Sequence, residues 1–308
     1  MFNEDRPSSS LPDVASLPHA SGSGVLDWVG MDGMEMPVQF DAGDGQVRQT
    51  SARVGAFVNL AKEGARGIHM SRLYLLVDEA LSAGPVDEAV LRRLLQSFLA
   101  SHEGLSDAAR VVIHFEQLIR RRALRSDNSG WRAYPVRLEA VLADGKFSME
   151  IGTDVVYSST CPASAALSRQ MIQQRFAEDF KPGQPLEHEV ILRWLGTEKG
   201  IVATPHAQRS TAKLCIRPAA ANAPKLLAII DAVEASLGTA VQTAVKREDE
   251  QAFALANGAN LMFCEDAARR VQQTLDAMPG IADFHVRIAH HESLHPHDAV
   301  AYAGKGLT

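Results

Sequence analysis

Apolar and polar residues alternate through several long stretches of the chain, and this period of two predicts β-strands. The alternating stretches are residues 46–60, 109–122, 131–143, 146–160, 206–218 and 283–289. Residues 25–31 and 36–40 are predicted as two further strands, because Gly33 lies between them and favours a break. Since side chains alternate between the faces of a strand, each stretch presents one apolar face to a core.

Helical spacing of apolar residues occupies the intervals between these strands. It predicts helices at residues 71–81, 87–102, 165–176, 187–195, 225–245, 249–256 and 263–278. The first half of the chain therefore runs strand, strand, helix, helix, strand, strand, and the second half repeats this order. The repetition concerns the order of elements and not the residues themselves.

This order divides the chain into predicted domains. Residues 1–22, rich in Ser and Pro, are predicted to form a flexible leader. Residues 23–145 form a first unit and residues 146–308 a second. An extra stretch at residues 165–204 is predicted as an insertion in the second unit, between its first two strands.

Composition excludes some classes of protein. The 308 residues are 46% hydrophobic and 22% charged, which is typical of a globular protein. The net charge of −6 offers no basic excess for nucleic acid. No apolar stretch approaches the roughly 18 residues of a membrane span, and the N-terminus lacks the pattern of a secretory signal. The three cysteines are too widely spaced for a disulfide framework, so we expect a reduced, cytoplasmic protein.

Cys161 is the first candidate for chemistry, because it lies where an alternating strand ends and a helix begins. Pro162 suits the first turn of that helix. The positive end of a helix dipole favours a thiolate over a thiol, and a thiolate can act as a nucleophile or bind a metal ion. The alternative interpretation is a small buried residue at the end of a strand.

Other candidates are His206 at the start of a strand, Glu234 beside the apolar stripe of a helix, and residues 290–298, which concentrate histidines and acids. Cys, His and Glu side chains together suit Zn²⁺, Mn²⁺ or Fe²⁺, and three protein ligands leave a coordination position open for water. Each candidate has a simpler interpretation. His206 could cap a strand, Glu234 could be a solvated helix acid, and residues 290–298 could be a histidine-rich tail.

Short motifs spread over nearly the whole chain carry a resemblance to a known family. They are LPDV at 11–14, GIHMSR at 67–72, STCP at 159–162, HAQRS at 206–210, KR at 246–247 with DE at 249–250, and ESLHPH at 292–297. In this content and order the chain resembles the prokaryotic type IB GTP cyclohydrolases. The resemblance implies the α+β tunnelling fold, in which a four-stranded antiparallel sheet carries two helices on one face. It also implies two such units in tandem, sheets that close into barrels on assembly, and a homotetramer with active sites between subunits.

The same resemblance implies an activity and roles for residues. Such an enzyme, a hydrolase of C–N bonds in cyclic amidines, converts GTP and water to 7,8-dihydroneopterin triphosphate and formate, the first step of tetrahydrofolate biosynthesis. The implied metal ligands are Cys161, His206 and Glu234. The implied purine-lining residues, which would also move protons, are Glu292, His295 and His297. Glu250 is predicted to hold the guanine by its N–H edges, with Asp249 the next choice.

The substrate triphosphate needs local cations on a protein of net negative charge, and the candidates are Arg72, Arg209 and Lys213, with His69 near them. One departure from the family is Ala163, which stands where a second cysteine often occurs. Two alternatives therefore accompany the prediction: another tunnelling-fold enzyme acting on a pterin or deazapurine, and a non-catalytic protein that binds a purine.

Overall fold

The computed structural model describes residues 24–219 and 223–306, and it consists of long antiparallel strands and shorter helices. The predicted leader and the LPDV motif lie outside these residues. The strands are β1 (Leu26–Asp41), β2 (Val47–Leu60), β3 (Ala108–Arg122), β4 (Ser129–Ala143), β5 (Lys146–Thr160), β6 (Ala207–Pro218), β7 (Ile281–His290) and β8 (Ala299–Gly304). The helices are α1 (Met70–Ser82), α2 (Glu88–Ser101), α3 (Pro162–Asp179), α4 (His188–Leu195), α5 (Leu226–Leu237), α6 (Arg247–Ala259) and α7 (Cys264–Ala277).

The strands are hydrogen-bonded in chain order, from β1 to β8, in an eight-stranded sheet. The pairings β1–β2, β2–β3, β5–β6, β6–β7 and β7–β8 are all antiparallel. The turn between β4 and β5 is formed by Asp144 and Gly145, both with positive φ, the sequence signal of a tight hairpin. The predicted α+β class with antiparallel sheets is confirmed.

Among the described residues, two compact units are distinguished. Unit 1 comprises residues 24–41, 45–115 and 137–150, and unit 2 comprises residues 42–44, 116–136, 151–219 and 223–306. Strands β3, β4 and β5 each contribute residues to both units. The proposed domain boundary after residue 145 remains a prediction.

In each unit at least one helix buries an apolar face. In unit 1, α1 packs on β1 and α2, and Leu73 and Val77 are among its buried residues. In unit 2, α7 packs on β7, β8 and α5, and Val271 and Leu275 are buried. The i, i+4 spacing of these buried pairs is the helical periodicity that predicted the elements.

Three predictions about elements are wrong. Residues 25–40 do not form two strands, because Gly33 lies at a register shift inside the continuous strand β1. A β-bulge accommodates the extra residues without ending the strand. Helix α5 does not continue to residue 245, because Gly238 adopts φ +76° and donates its N–H to the carbonyl of Glu234. Strand β8 was not predicted, since its short Ala- and Gly-rich sequence alternates weakly.

Candidate active site

Cys161 and His206 are neighbours, although residues 162–205 separate them in sequence. Residue 160 pairs with residue 207 in the β5–β6 ladder, so the chain around both residues meets at one end of these strands. The N–H of Cys161 donates to the carbonyl of His206 at 3.4 Å, and the N–H of His206 donates to Ser164 Oγ at 3.0 Å. Residues 162–205 therefore leave the sheet and return to it at the same point, and their status as an insertion stays a prediction.

Helix α3 begins at Pro162, three residues before the predicted start at residue 165, and Cys161 is its N-cap. Its Sγ accepts a hydrogen bond from the N–H of Ser164 at 3.5 Å. The thiol is half-buried and points to the helix N-terminus, where the partial positive charge of the backbone N–H groups favours an anion.

His206 is oriented through one ring nitrogen. Its Nδ1 lies 3.0 Å from Oε1 of Gln208 and 3.9 Å from Oε2 of Glu292. Because both partner atoms are oxygens that accept, Nδ1 is the ring nitrogen that donates to them, and Nε2 is not engaged by these two residues. A histidine that ligates a metal ion is held in this way, with the second nitrogen donating to an oxygen.

Glu234 is not brought to Cys161 and His206. Its Oε1 accepts from Arg132 Nη1 at 2.9 Å and from the Tyr134 hydroxyl at 2.6 Å, and its Oε2 lies 3.5 Å from Arg121 Nη2. Arg132 is only 8% exposed, so the carboxylate neutralises a buried cation. The role of Glu234 as a metal ligand, which the resemblance implies, stays a prediction; in the structure its oxygens accept from these donors.

Within residues 24–219 and 223–306, no group of three or more His, Cys, Asp or Glu side chains is arranged to hold a metal ion. Cys161 Sγ and His206 Nε2 nevertheless fit the chemistry of a divalent transition metal, since sulfur and imidazole are the ligands that such ions prefer.

A cavity of about 430 Å³ opens next to His206 in unit 2. Gln208 and Arg209 of β6 line one side of the cavity, and Glu250 and Phe253 of α6 line another. The volume lies in the range of small-molecule sites, about 300–1,000 Å³. The side chain of Glu250 makes no hydrogen bond or ion pair with the described residues, so its carboxylate is available to a ligand.

The remaining predicted residues of unit 2 lie along β6 and in the loop after β7. Lys213 is exposed and pairs with Asp154 in the β5–β6 register. In the loop, the rings of His295 and His297 are exposed and stack with their centroids 5.1 Å apart. Glu292, 14% exposed, is the loop residue nearest His206.

Two residues that contribute to the candidate site were not predicted from the sequence. Gln208 orients His206, and its position two residues along the strand places both side chains on one face, so the spacing could have indicated it. Tyr157 lines the cavity, and its hydroxyl lies 2.9 Å from Nε2 of the buried His290. These two residues meet across β6, because Ser210 pairs with both of them.

In unit 1, His69 and Arg72 belong to the segment that starts α1. The N–H of His69 donates to His102 Nε2 at 3.3 Å, and Arg72 Nη1 donates to the carbonyl of Ser101 at 2.6 Å. The other ring nitrogen of His102 lies 3.0 Å from the carbonyl of Phe98. A carbonyl only accepts, so Nδ1 carries the proton and His102 is neutral. This buried ring joins the end of α2 to the GIHMSR motif.

Acid is expected to weaken the fold through His102. Burial lowers the pKa of His102 from its ordinary value of 6.5, so the unfolded state binds more protons than the folded state once the pH falls below about 6.5. The free energy of unfolding should therefore decrease as the pH falls from 7.5 to 5.5, and it should decrease less in His102→Gln. Urea denaturation at both pH values measures the difference, and an equal pH dependence in the two proteins would contradict it.

The described residues contain no helix that is long and apolar enough to span a membrane.

The family model described as "Type I GTP cyclohydrolase folE2" matches residues 11–301. The chain is 49% identical over 297 residues to "GTP cyclohydrolase FolE2" of Hydrogenovibrio crunogenus, covering 96% of this chain and 95% of the relative. It is 51% identical over 298 residues to the protein of the same name from Bdellovibrio bacteriovorus, with 97% of each chain covered.

Among solved structures, the crystal structure of uricase from Arthrobacter globiformis has a TM-score of 0.50 at 11% identity, covering 94% of this chain and 95% of that chain. At this identity the likeness concerns the fold alone. The family match extends over nearly the whole chain. The STCP, HAQRS and ESLHPH motifs contain the neighbouring pair Cys161 and His206 and the nearby Glu292. The chain belongs to the type I GTP cyclohydrolase FolE2 family.

Proposed function

We propose that this protein is a metal-dependent GTP cyclohydrolase, which converts GTP and water to 7,8-dihydroneopterin triphosphate and formate in the synthesis of tetrahydrofolate. The observation that carries this proposal is the near-full-length similarity to two relatives named GTP cyclohydrolase. The cavity beside His206 supports it, since it offers a place for a nucleotide next to the candidate metal ligands.

Cys161 and His206 would hold one divalent transition metal ion, Zn²⁺, Mn²⁺ or Fe²⁺. When bound, such an ion lowers the pKa of a water molecule and so provides a nucleophile near neutral pH. The contribution of the chain is orientation: Gln208 and Glu292 hold the His206 ring on its Nδ1 side, which would leave Nε2 for the ion. The start of α3 holds the Cys161 sulfur in place, through the hydrogen bond that it accepts from the N–H of Ser164.

Glu292, His295 and His297 would move protons while the imidazole ring of guanine opens and formate leaves. The reaction needs several proton transfers, which suits a group of imidazoles and a carboxylate better than a single base. Arg209 would meet the triphosphate at the cavity, with Lys213 further along β6. Arg72 and His69 are proposed as additional phosphate contacts.

Glu250 would accept hydrogen bonds from the N–H edge of guanine, because its carboxylate lines the cavity and is not engaged elsewhere. Glu250→Gln replaces one acceptor oxygen with a donor facing those N–H groups. Glu250 is exposed in the structure, and bound GTP would cover it. We expect KM for GTP to rise by roughly ten- to a hundredfold, from a cost of about 1–3 kcal/mol for a polar group that the ligand covers without a matching partner. Bound metal should stay unchanged, and a loss of metal in this variant would instead assign Glu250 to the ion.

The function is tested by incubating the purified protein with GTP and each divalent metal in turn. Formate and a fluorescent pterin after oxidation are the expected products. If the protein releases neither product from GTP but converts a pterin or a deazapurine, the proposal is overturned in favour of another tunnelling-fold activity.

The assembly and location are part of the same proposal. We expect a cytoplasmic homotetramer in which sheets of neighbouring subunits close into barrels and active sites lie between subunits. Light scattering of the purified protein measures the mass of the assembly.

A further inference from the structure

Asp249 is a fully buried carboxylate at the first turn of α6, immediately before Glu250. Its Oδ1 accepts from the N–H groups of Arg125 and Ser126 at 2.7 and 2.9 Å. Its Oδ2 accepts from Ser126 Oγ at 2.6 Å and from the N–H of Lys246 at 2.8 Å. One side chain thus joins the loop between β3 and β4 to the beginning of α6.

The charge of Asp249 is stabilised by these contacts. Burial acts to raise the pKa of Asp249, but the hydrogen bonds from Lys246, Ser126 and Arg125 outweigh it and hold the pKa well below its usual range. A carboxylate that accepts several hydrogen bonds stays ionised even when buried. Asp249 is therefore committed to the protein and is not available to bind guanine, the second role suggested for it by the sequence.

Helix α6 depends on this carboxylate because it has little else to hold it. Asp249 is the only buried residue of the helix, and its apolar residue Leu255 is 70% exposed. The apolar residues Ala252, Phe253 and Ala256 are only half-buried, so α6 lacks the fully buried apolar face that holds most helices. A second tether is the hydrogen bond of 2.6 Å between Ser158 Oγ and Asn257 Oδ1, near the other end of the helix.

The first turn of α6 also forms a wall of the cavity. Glu250 and Phe253 line it from α6, opposite Gln208 and Arg209 of β6. The position of the Glu250 carboxylate relative to β6 is consequently set by whatever fixes the first turn of α6.

We propose that Asp249 is a positioning residue for substrate binding, which places Glu250 by clamping the first turn of α6 to the loop at residues 125–126. The inference rests on the proposed function, in which Glu250 contacts GTP. Asp249 also lines the cavity, but both of its oxygens are occupied by donors of the protein. Its effect reaches the substrate through the backbone that it shares with Glu250.

The test compares Asp249→Asn with Ser126→Ala and with a matched control, Asp87→Asn. The asparagine keeps the shape of Asp249 but turns a donor toward the N–H of Lys246 or toward Ser126. Ser126→Ala removes one hydrogen bond from the clamp. Asp87 is the N-cap of α2 in unit 1 and accepts from the N–H of Val90 at 2.8 Å, so its replacement weakens a helix start far from this clamp in sequence.

Three measurements are made on the full-length proteins at a temperature well below thermal unfolding: kcat and KM for GTP, the Kd of GTP by calorimetry with a chelator present, and hydrogen exchange over residues 124–128 and 246–253. Asp249→Asn should raise KM and Kd and lower kcat/KM by up to about a hundredfold, the effect of a displacement of about 1 Å in a binding group. Exchange should increase in both segments. Ser126→Ala should change the same quantities in the same direction by less, and Asp87→Asn should change none of them.

Unchanged KM and Kd in Asp249→Asn, with only a lower unfolding temperature, would overturn the proposal and leave Asp249 as a helix cap. If Asp249→Asn does not fold, a wild-type KM in Ser126→Ala overturns it equally. If the wild-type protein neither binds nor converts GTP, the proposed function is refuted instead. Hydrogen exchange over residues 124–128 and 246–253 would then decide alone whether Asp249 clamps α6 to the loop at residues 125–126.

Discussion

Replacing Cys161 with alanine is expected to lower kcat for formate release from GTP by more than about a hundredfold, beyond the loss typical of a residue that only supports a metal ligand. The reason is that Cys161 supplies the only sulfur of the segment 159–163, since Ala163 stands where the family often has a second cysteine. With the sulfur gone, His206 keeps its orientation but loses its partner in holding the ion. Bound metal, measured by mass spectrometry, should fall together with activity.

Two companion variants separate this effect from damage to the fold. Cys161→Ser replaces the sulfur with an oxygen that is a strong N-cap, so the start of α3 is preserved while the soft ligand is lost. It should unfold at the wild-type temperature and still lose metal. Cys215→Ala removes a half-buried thiol in the middle of β6 and should retain both metal and activity. Near-normal activity in Cys161→Ala would refute the assignment of the metal site.

The fold was largely predictable because period-two alternation reports directly which face of a strand is buried. That signal is strong in β5, where every second residue from Ile151 to Tyr157 faces the core. The alternation does not predict the structure where pairing with a neighbouring strand decides the backbone conformation. Gly33 has a backbone conformation that suits both a break and a bulge, and only pairing with β2 selects the bulge.

The candidate site was predictable where it depends on the backbone and unpredictable where it depends on side-chain partners. Cys161 and His206 meet because they flank paired ends of β5 and β6, which follows once those strands are recognised. The partners of Glu234 were not predictable, because an acid beside an apolar stripe suits a metal site and a buried ion pair equally well. Its partners Arg121 and Arg132 lie on other elements, more than a hundred residues earlier, and no local signal connects them to it.

Glu234→Ala is therefore expected to destabilise the fold and to leave the metal in place. The change removes the carboxylate that neutralises Arg132, which is 8% exposed and also donates to the carbonyl of Val156 at 2.7 Å. Breaking a buried ion pair from one side costs about 3–5 kcal/mol, because the remaining charge stays buried without its partner. Urea denaturation should show this loss in the free energy of unfolding.

The same change also affects Tyr134, whose hydroxyl donates to Glu234. Burial, with the hydrogen bond and the negative charge of Glu234, raises the pKa of Tyr134, so this residue remains a neutral donor that needs an acceptor. Glu234→Gln keeps an acceptor oxygen for Tyr134 and should cost less stability than Glu234→Ala, although Arg132 still loses its counter-charge. Both variants, assayed below their unfolding temperatures, should bind metal in the wild-type ratio. If the variants instead keep the wild-type free energy of unfolding and lose bound metal, this conclusion is reversed and Glu234 is a metal ligand. An ion pair that contributes nothing to stability cannot be what holds the carboxylate in place.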